Sequence, residues 1–321
     1  MLDITVPYSG RFLISHMAAY GLASVVDAHG GEAWIGHGPD MEMTPFVATD
    51  LDPVTVNAAV RQSAHDCEAA IEEDLEPGKS GNDRIPVIRA RATDTDRARR
   101  ATKMREARLD QIEGSEGQLC ASLLAGLGAP SPWIRDPRTP GDRRPEWGAT
   151  RLDGVAYNYP SDIVRAALRK VRAAAAELDG DSLLWTQDAS SQEADHFLWS
   201  PPGTTIDPIW QWLAAMGLTL LPVGATSRGR ARTPGFWDER ASRGGTDRGI
   251  TLPVLSSPVS VQRLRCLVQL EQLAARTPTD AARLELRAVG ISALAVFVVD
   301  DASTGSMVQF SFGAATPIIL E

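Results

Sequence analysis

The chain has 321 residues, 43% hydrophobic and 23% charged, which is enough apolar material for a real core and fits about two globular domains. A net charge of −9 and a pI near 5.2 argue against a protein whose whole surface grips nucleic acid, while leaving room for a local basic patch. The first residues carry neither a basic stretch nor an apolar signal core, and the longest apolar run, 291–299, is too short to span a bilayer, so a cytoplasmic protein without membrane contact is expected.

In chain order, residues 3–7 read as a strand, 11–20 as a helix stopped by Gly21, and 33–35 as a short strand after Gly30-Gly31. A helix spans 52–75, opened by Asp52-Pro53. Charge then changes sign. Residues 50–83 hold nine acids against Arg61 and Lys79, whereas 84–108 hold nine bases against Asp94, Asp96 and Glu106. The stretch 95–112 has few apolar anchors, which suits an exposed helix or a partly disordered segment. A short apolar helix follows at 119–127. The Pro/Arg-rich run 129–145 reads as a loop and divides the chain into an N-terminal half, 1–145, and a C-terminal half, 146–321. Pro160-Ser161-Asp162 opens an alanine-rich helix over 163–178, and 182–186 is a short strand.

Asp207-Pro208 caps a Trp-rich helix that ends in Ala214-Ala215-Met216-Gly217-Leu218. The same phrase occurs near the start as Ala18-Ala19-Tyr20-Gly21-Leu22, which suggests a two-part organisation. A glycine- and arginine-rich loop covers 224–249, a strand 250–255 and a long amphipathic helix 259–275. The C-terminus predicts a β-hairpin: strand 293–299, turn 300–305, strand 307–312. The expected class is α+β, with mixed short β-sheets packed with helices and a C-terminal β-hairpin.

No motif predicts catalysis, a metal or a cofactor. Gly78-Lys79-Ser80 lacks the upstream glycine of a phosphate loop, since Glu73 stands there and an acidic helix end repels phosphate. Gly180-Asp181-Ser182-Leu183 resembles a hydrolase nucleophile block, but no histidine follows His196 to take the serine proton. His29, Glu32 and His37 have no helix-face spacing for a metal, and Asp300-Asp301 suits a turn. Cys67, Cys120 and Cys266 are far apart with no C-x-x-C pair, as expected of reduced structural thiols.

Binding chemistry is easier to place. Guanidinium forks suit phosphate, and glycines let a backbone follow a strand. Arg228, Arg230, Arg232, Arg240, Arg243 and Arg248 of the loop are therefore candidate nucleic-acid-binding residues, together with Arg97, Arg99, Arg100 and Lys103. The latter group also suits a solvated helix or pairing with the acidic run before it. Trp210 and Trp212 cannot share a helix face, so Trp210, Trp212 and Trp237 are weighed as core residues and as a partner interface.

From Trp210 onward the order is a Trp-rich helix, Gly217-Leu218, Leu220-Leu221-Pro222-Val223, the Arg/Gly loop, Leu252-Pro253-Val254, then Ser257-Pro258-Val259-Ser260-Val261. Together with the first thirty residues, this stretch resembles the small variant large-subunit family of type I CRISPR effector complexes, the kind linked with the I-U (I-G) subtype. Members of the family similarly combine an early helix ending in Gly-Leu with a later Pro-Leu strand and a helix beginning Pro-Leu-Ser; the resemblance covers residues 196–275 and the first thirty, and residues 84–150 match nothing recognised. The resemblance implies a non-catalytic, DNA-binding ribonucleoprotein subunit in antiviral defence. Its partners would be the guide RNA–protein complex and double-stranded target DNA, next to which it helps recognise the flanking motif. A protein-binding scaffold without nucleic-acid contact, or an enzyme of another kind, also remains open from the residues.

Overall fold

Helix α1 (Leu13–Ala28) is the pivot of the computed structural model, which describes residues 1–39, 42–73, 114–131, 146–149, 167, 171, 206–225, 231–239, 248–301 and 310–320. Every residue of α1 except Asp27 is buried, as expected of a helix that is apolar on all sides. It runs straight through Gly21, contrary to the stop expected there. Its C-terminus lies a turn and more later. Gly30 adopts φ 82°, its N–H reaches Asp27 O at 3.3 Å, and the Gly31 N–H reaches Val26 O at 3.0 Å. That is a Schellman cap, which favours glycine because side chains resist the left-handed conformation.

Gly21 has a different task. A β-carbon there would lie 1.7 Å from the carbonyl oxygen of Leu213, and one on Gly217 would lie 2.3 Å from the carbonyl oxygen of Met17. Met17 and Leu213 each precede their glycine by one helical turn, so the two Ala-Ala-X-Gly-Leu phrases cross reciprocally, backbone against backbone. The partner helix is α4 (Pro208–Met216), capped as expected by Asp207, whose carboxylate accepts from the Ile209 N–H at 2.7 Å. Gly217 does not stop this helix either. Its backbone stays helical and continues into the 3-10 turn Gly217–Leu220. Just beyond the crossing, the Thr219 hydroxyl donates to Ser24 Oγ at 2.8 Å.

Around α1 lie α2 (Pro53–Glu73), α3 (Gly114–Leu127) and an antiparallel sheet of order β1-β3-β2-β10, from Leu2–Thr5, Pro45–Thr49, Ala33–His37 and Val259–Ser260. A second antiparallel sheet joins β8 (Phe236–Asp238), β9 (Arg248–Leu255), β11 (Ile291–Asp301) and β12 (Phe310–Phe312), with β13 (Thr316–Ile319) also on β11. The C-terminal hairpin is present as β11–β12. Asp300 and Asp301 are strand residues opposite Ser311 and Phe310, not turn residues.

Other expectations change too. Residues 129–131 of the expected loop 129–145 belong to β4 (Gly128–Ser131), paired antiparallel with β5 (Glu146–Ala149), and 132–145 lie outside the described residues. The Arg/Gly loop contributes a small pair, β6 (Gly224–Ala225) with β7 (Ala231–Arg232). The long helix expected over 259–275 is divided into β10, α5 (Val261–Leu267) and a 3-10 turn at Glu271–Leu273. Ser260 starts α5 by accepting from the Arg263 N–H, and Leu273 turns inward as a fully buried side chain. Helix α6 (Asp280–Ala288), capped by Thr279, was not anticipated.

The halves divided at 145/146 share one hydrophobic core and one sheet, since β10 pairs with β2 and α4 packs on α1. Their boundary is one of sequence order. Of the expected helix 163–178, Ala167 and Val171 are helical and buried; the rest of it, the stretch 95–112, strand 182–186, Gly78-Lys79-Ser80, Gly180-Asp181-Ser182-Leu183 and residues 226–230 and 240–247 of the loop 224–249 lie outside the described residues. None of the described helices is long and apolar enough to cross a membrane.

Candidate functional site

Of the ten basic residues expected to bind nucleic acid, Arg232 and Arg248 are described; Arg228, Arg230, Arg240, Arg243, Arg97, Arg99, Arg100 and Lys103 lie outside the described residues. Arg232 ends β7 and turns toward its own chain. Its guanidinium lies 3.2 Å from the Glu271 carboxylate and donates to Gln269 O at 3.3 Å. Both contacts reach the segment where the long helix was expected. Arg248 begins β9, half-buried, directly opposite Asp238 on β8. Sequence reading passed over another basic group: Arg263 and Arg265 on α5, and Arg283 and Arg287 on α6. Arg263 donates to Val289 O at 3.0 Å, placing a cation at the C-terminus of α6, where unpaired carbonyls favour it.

The interface expectation for the tryptophans is corrected. Trp210, Trp212 and Trp237 are only 5%, 0% and 4% exposed, and all belong to the core of this chain. The indole N–H of Trp212 donates to Ser63 Oγ at 3.0 Å, and that of Trp237 to Thr251 Oγ1 at 3.1 Å. Buried indoles need such partners, and here both find them inside the fold.

The most concentrated chemistry among the described residues is a histidine pair that sequence spacing could not reveal. His16 faces His37 across the α1–β2 contact, with ring centroids 5.3 Å apart and the edge of Phe297 against His16 at 5.5 Å. His16 Nε2 lies 2.8 Å from Gly10 O, which can only accept, so that nitrogen carries the hydrogen. The Leu255 N–H, which can only donate, reaches His37 Nδ1 at 3.2 Å. His37 Nε2 therefore carries its hydrogen and points it at His16 Nδ1, a long contact of 3.4 Å. The four ring nitrogens form one directed chain from Leu255 on β9, through His37 and His16, to the loop before α1.

That chain is complete only when both rings are neutral. A further proton would set one N–H against another. Burial pushes the His16 pKa down to about 4, and burial together with the neighbouring His16 holds His37 well below the usual histidine value. The pair can therefore align α1, β2 and β9, but it has no free lone pair to act as a base. The other residues weighed for metal binding are apart in role: the His29 ring bonds Val25 O at 2.8 Å, and Glu32 is exposed. No group of three or more His, Cys, Asp or Glu able to hold a metal occurs among the described residues.

No protein-family model matches the chain, and no curated protein matches it either.

Proposed function

We propose that the protein is a non-catalytic subunit of a type I CRISPR-guided DNA surveillance complex, contributing to recognition of double-stranded DNA beside the target and to assembly of the complex. One observation supports this reading above others. The phrases that carry the resemblance, far apart in the sequence, are neighbours in space. Ala18–Leu22 crosses Ala214–Leu218, Leu252-Pro253-Val254 lies on β9, and Val259-Ser260 is the strand that closes the first sheet against β2.

In such a complex, base pairing with the guide reads the target while protein groups read a short flanking motif and hold the backbone. The arginines of the 224–249 loop have the chemistry for phosphate, and the same half of the chain carries further arginines on α5 and α6. The scaffold reading draws on Arg232, whose guanidinium is already satisfied by Glu271 and Gln269.

The test is to purify the tagged protein from its native host in gentle salt and extract any bound nucleic acid. Short RNAs sharing a repeat-derived end, recovered with partner proteins, are the expected result. A clean protein with neither overturns the proposal. Partner recovery with DNA affinity that does not change with salt would instead support the scaffold reading.

A further inference from the structure

Two of the three cysteines, 53 positions apart in the chain, meet in the interior. Cys67 on α2 is 0% exposed, Cys120 on α3 is 9% exposed, and their sulfurs are 2.8 Å apart. Both are free thiols, as is Cys266, which is exposed on α5. The two sulfurs need to close by less than about 1 Å to reach a bond of about 2.05 Å. Each thiol has the other as its immediate polar neighbour, so oxidation of one places its product directly against a resolving partner.

We propose that Cys67 and Cys120 are a disulfide-forming modification site whose co-reactant is a small peroxide, hydrogen peroxide in the simplest case. Cys120, the more exposed of the two, reacts first. Its thiolate attacks one peroxide oxygen, the O–O bond breaks, and the departing hydroxide takes up a proton to leave as water, giving a sulfenic acid. The Cys67 sulfur then attacks that sulfenic sulfur. The S–S bond forms, the S–O bond breaks, and the hydroxyl leaves as a second water with the Cys67 proton. Two thiols lose two electrons and one peroxide gains them. The order follows from the environment: the hydrogen bond to Cys120, followed by burial, pushes the Cys67 thiol well above its ordinary value, so Cys67 stays protonated until a sulfenic acid faces it.

The bond would staple α2 to α3 and close a covalent loop around residues 68–119, which contain the basic stretch and much of the acidic run before it. A cross-link across so long a loop removes freedom from the unfolded chain and raises thermal stability.

The experiment uses the full chain carrying Cys266→Ser, so that the exposed thiol contributes nothing. Graded hydrogen peroxide is expected to remove both remaining thiols together. Peptide mass analysis should find the Cys67 and Cys120 peptides joined with loss of two hydrogens. Tm should rise by roughly 5–10 °C and return on adding dithiothreitol. Cys67→Ala should leave a sulfenic acid on Cys120 that dimedone captures, whereas Cys120→Ala should leave Cys67 unmodified. Should either variant fail to fold, the joined peptide from the Cys266→Ser chain still decides the matter. The proposal is overturned if peroxide sufficient to oxidise Cys266 in the natural chain leaves Cys67 and Cys120 as thiols. Sulfinic acid on either residue without a joined peptide overturns it equally.

Discussion

The crossing of α1 with α4 and the arginine-bearing rim around β7, β9 and α5 are built by opposite rules. At the crossing, backbone touches backbone, and the identities of Gly21 and Gly217 are fixed because any side chain would occupy the space of a carbonyl group. At the rim, Arg232 is 26% exposed and its partner Glu271 is 88% exposed, so water competes for their ion pair and screens it. The fold therefore depends on a few positions with no slack. The exposed ion pair at the rim, by contrast, can change with little penalty in stability.

The sharpest way to break this contrast is to add one methyl group at the crossing. Gly21→Ala or Gly217→Ala should cost at least about 3 kcal/mol, the upper end of ordinary overpacking, because backbone rather than a yielding side chain receives the new atom. Thermal denaturation should show a loss of about 6 °C or more. An unchanged Tm in either variant would mean that the helices do not cross at these glycines.

Acid probes the histidine chain that ties the crossing to β9. His16 has a pKa of about 4 in the fold, below the ordinary value of 6.5, so the unfolded chain binds more protons throughout that interval. Stability should be complete above about pH 7, decline as the pH falls through 6.5, and lose about 3 kcal/mol from His16 alone by pH 4. His37, shifted in the same direction, steepens the decline. In urea titrations across this range, His16→Gln should flatten the pH dependence even if it lowers stability at neutral pH. The same slope in the variant would remove His16 from the account.

Ser63→Ala should cost about 1–3 kcal/mol, because it leaves the buried indole N–H of Trp212 without its acceptor. Arg232→Ala, at the rim, should change stability by no more than about 1 kcal/mol. Equilibrium unfolding of both variants side by side would sharpen the comparison. Equal losses would show that rim and core are not distinguished as described.

Much of the fold was legible where the signal is local. The Asp207-Pro208 cap works through a bond to the N–H two residues on, and the strands of the C-terminal hairpin carry their own apolar pattern. Gly21 misled because a helix stop and a close crossing use the same letters; only Leu213, 192 positions further along the chain, tells them apart. Strand β3 is five residues long, and α6 buries only Leu286, so neither offered a strong period. The candidate site was legible as chemistry but not as geometry. Guanidinium groups could be named, yet the capture of Arg232 by Glu271 could not. The histidine chain was invisible because His16 and His37 acquire meaning only through the Leu255 N–H, 218 positions beyond His37.

The reciprocal crossing also sets an order of events during synthesis. Ser24 and Thr219, which bond beside it, are 195 positions apart. Made at roughly 5–20 residues per second, the chain would present α1 without its partner for about 10–40 s. Throughout that time β2, β3 and α2, made soon after α1, can cover part of it, but the face that α4 will occupy stays bare. A nascent chain of this kind is a natural client for a chaperone that shields apolar segments near the ribosome, and its folding should be limited by the arrival of α4 rather than by the formation of α1.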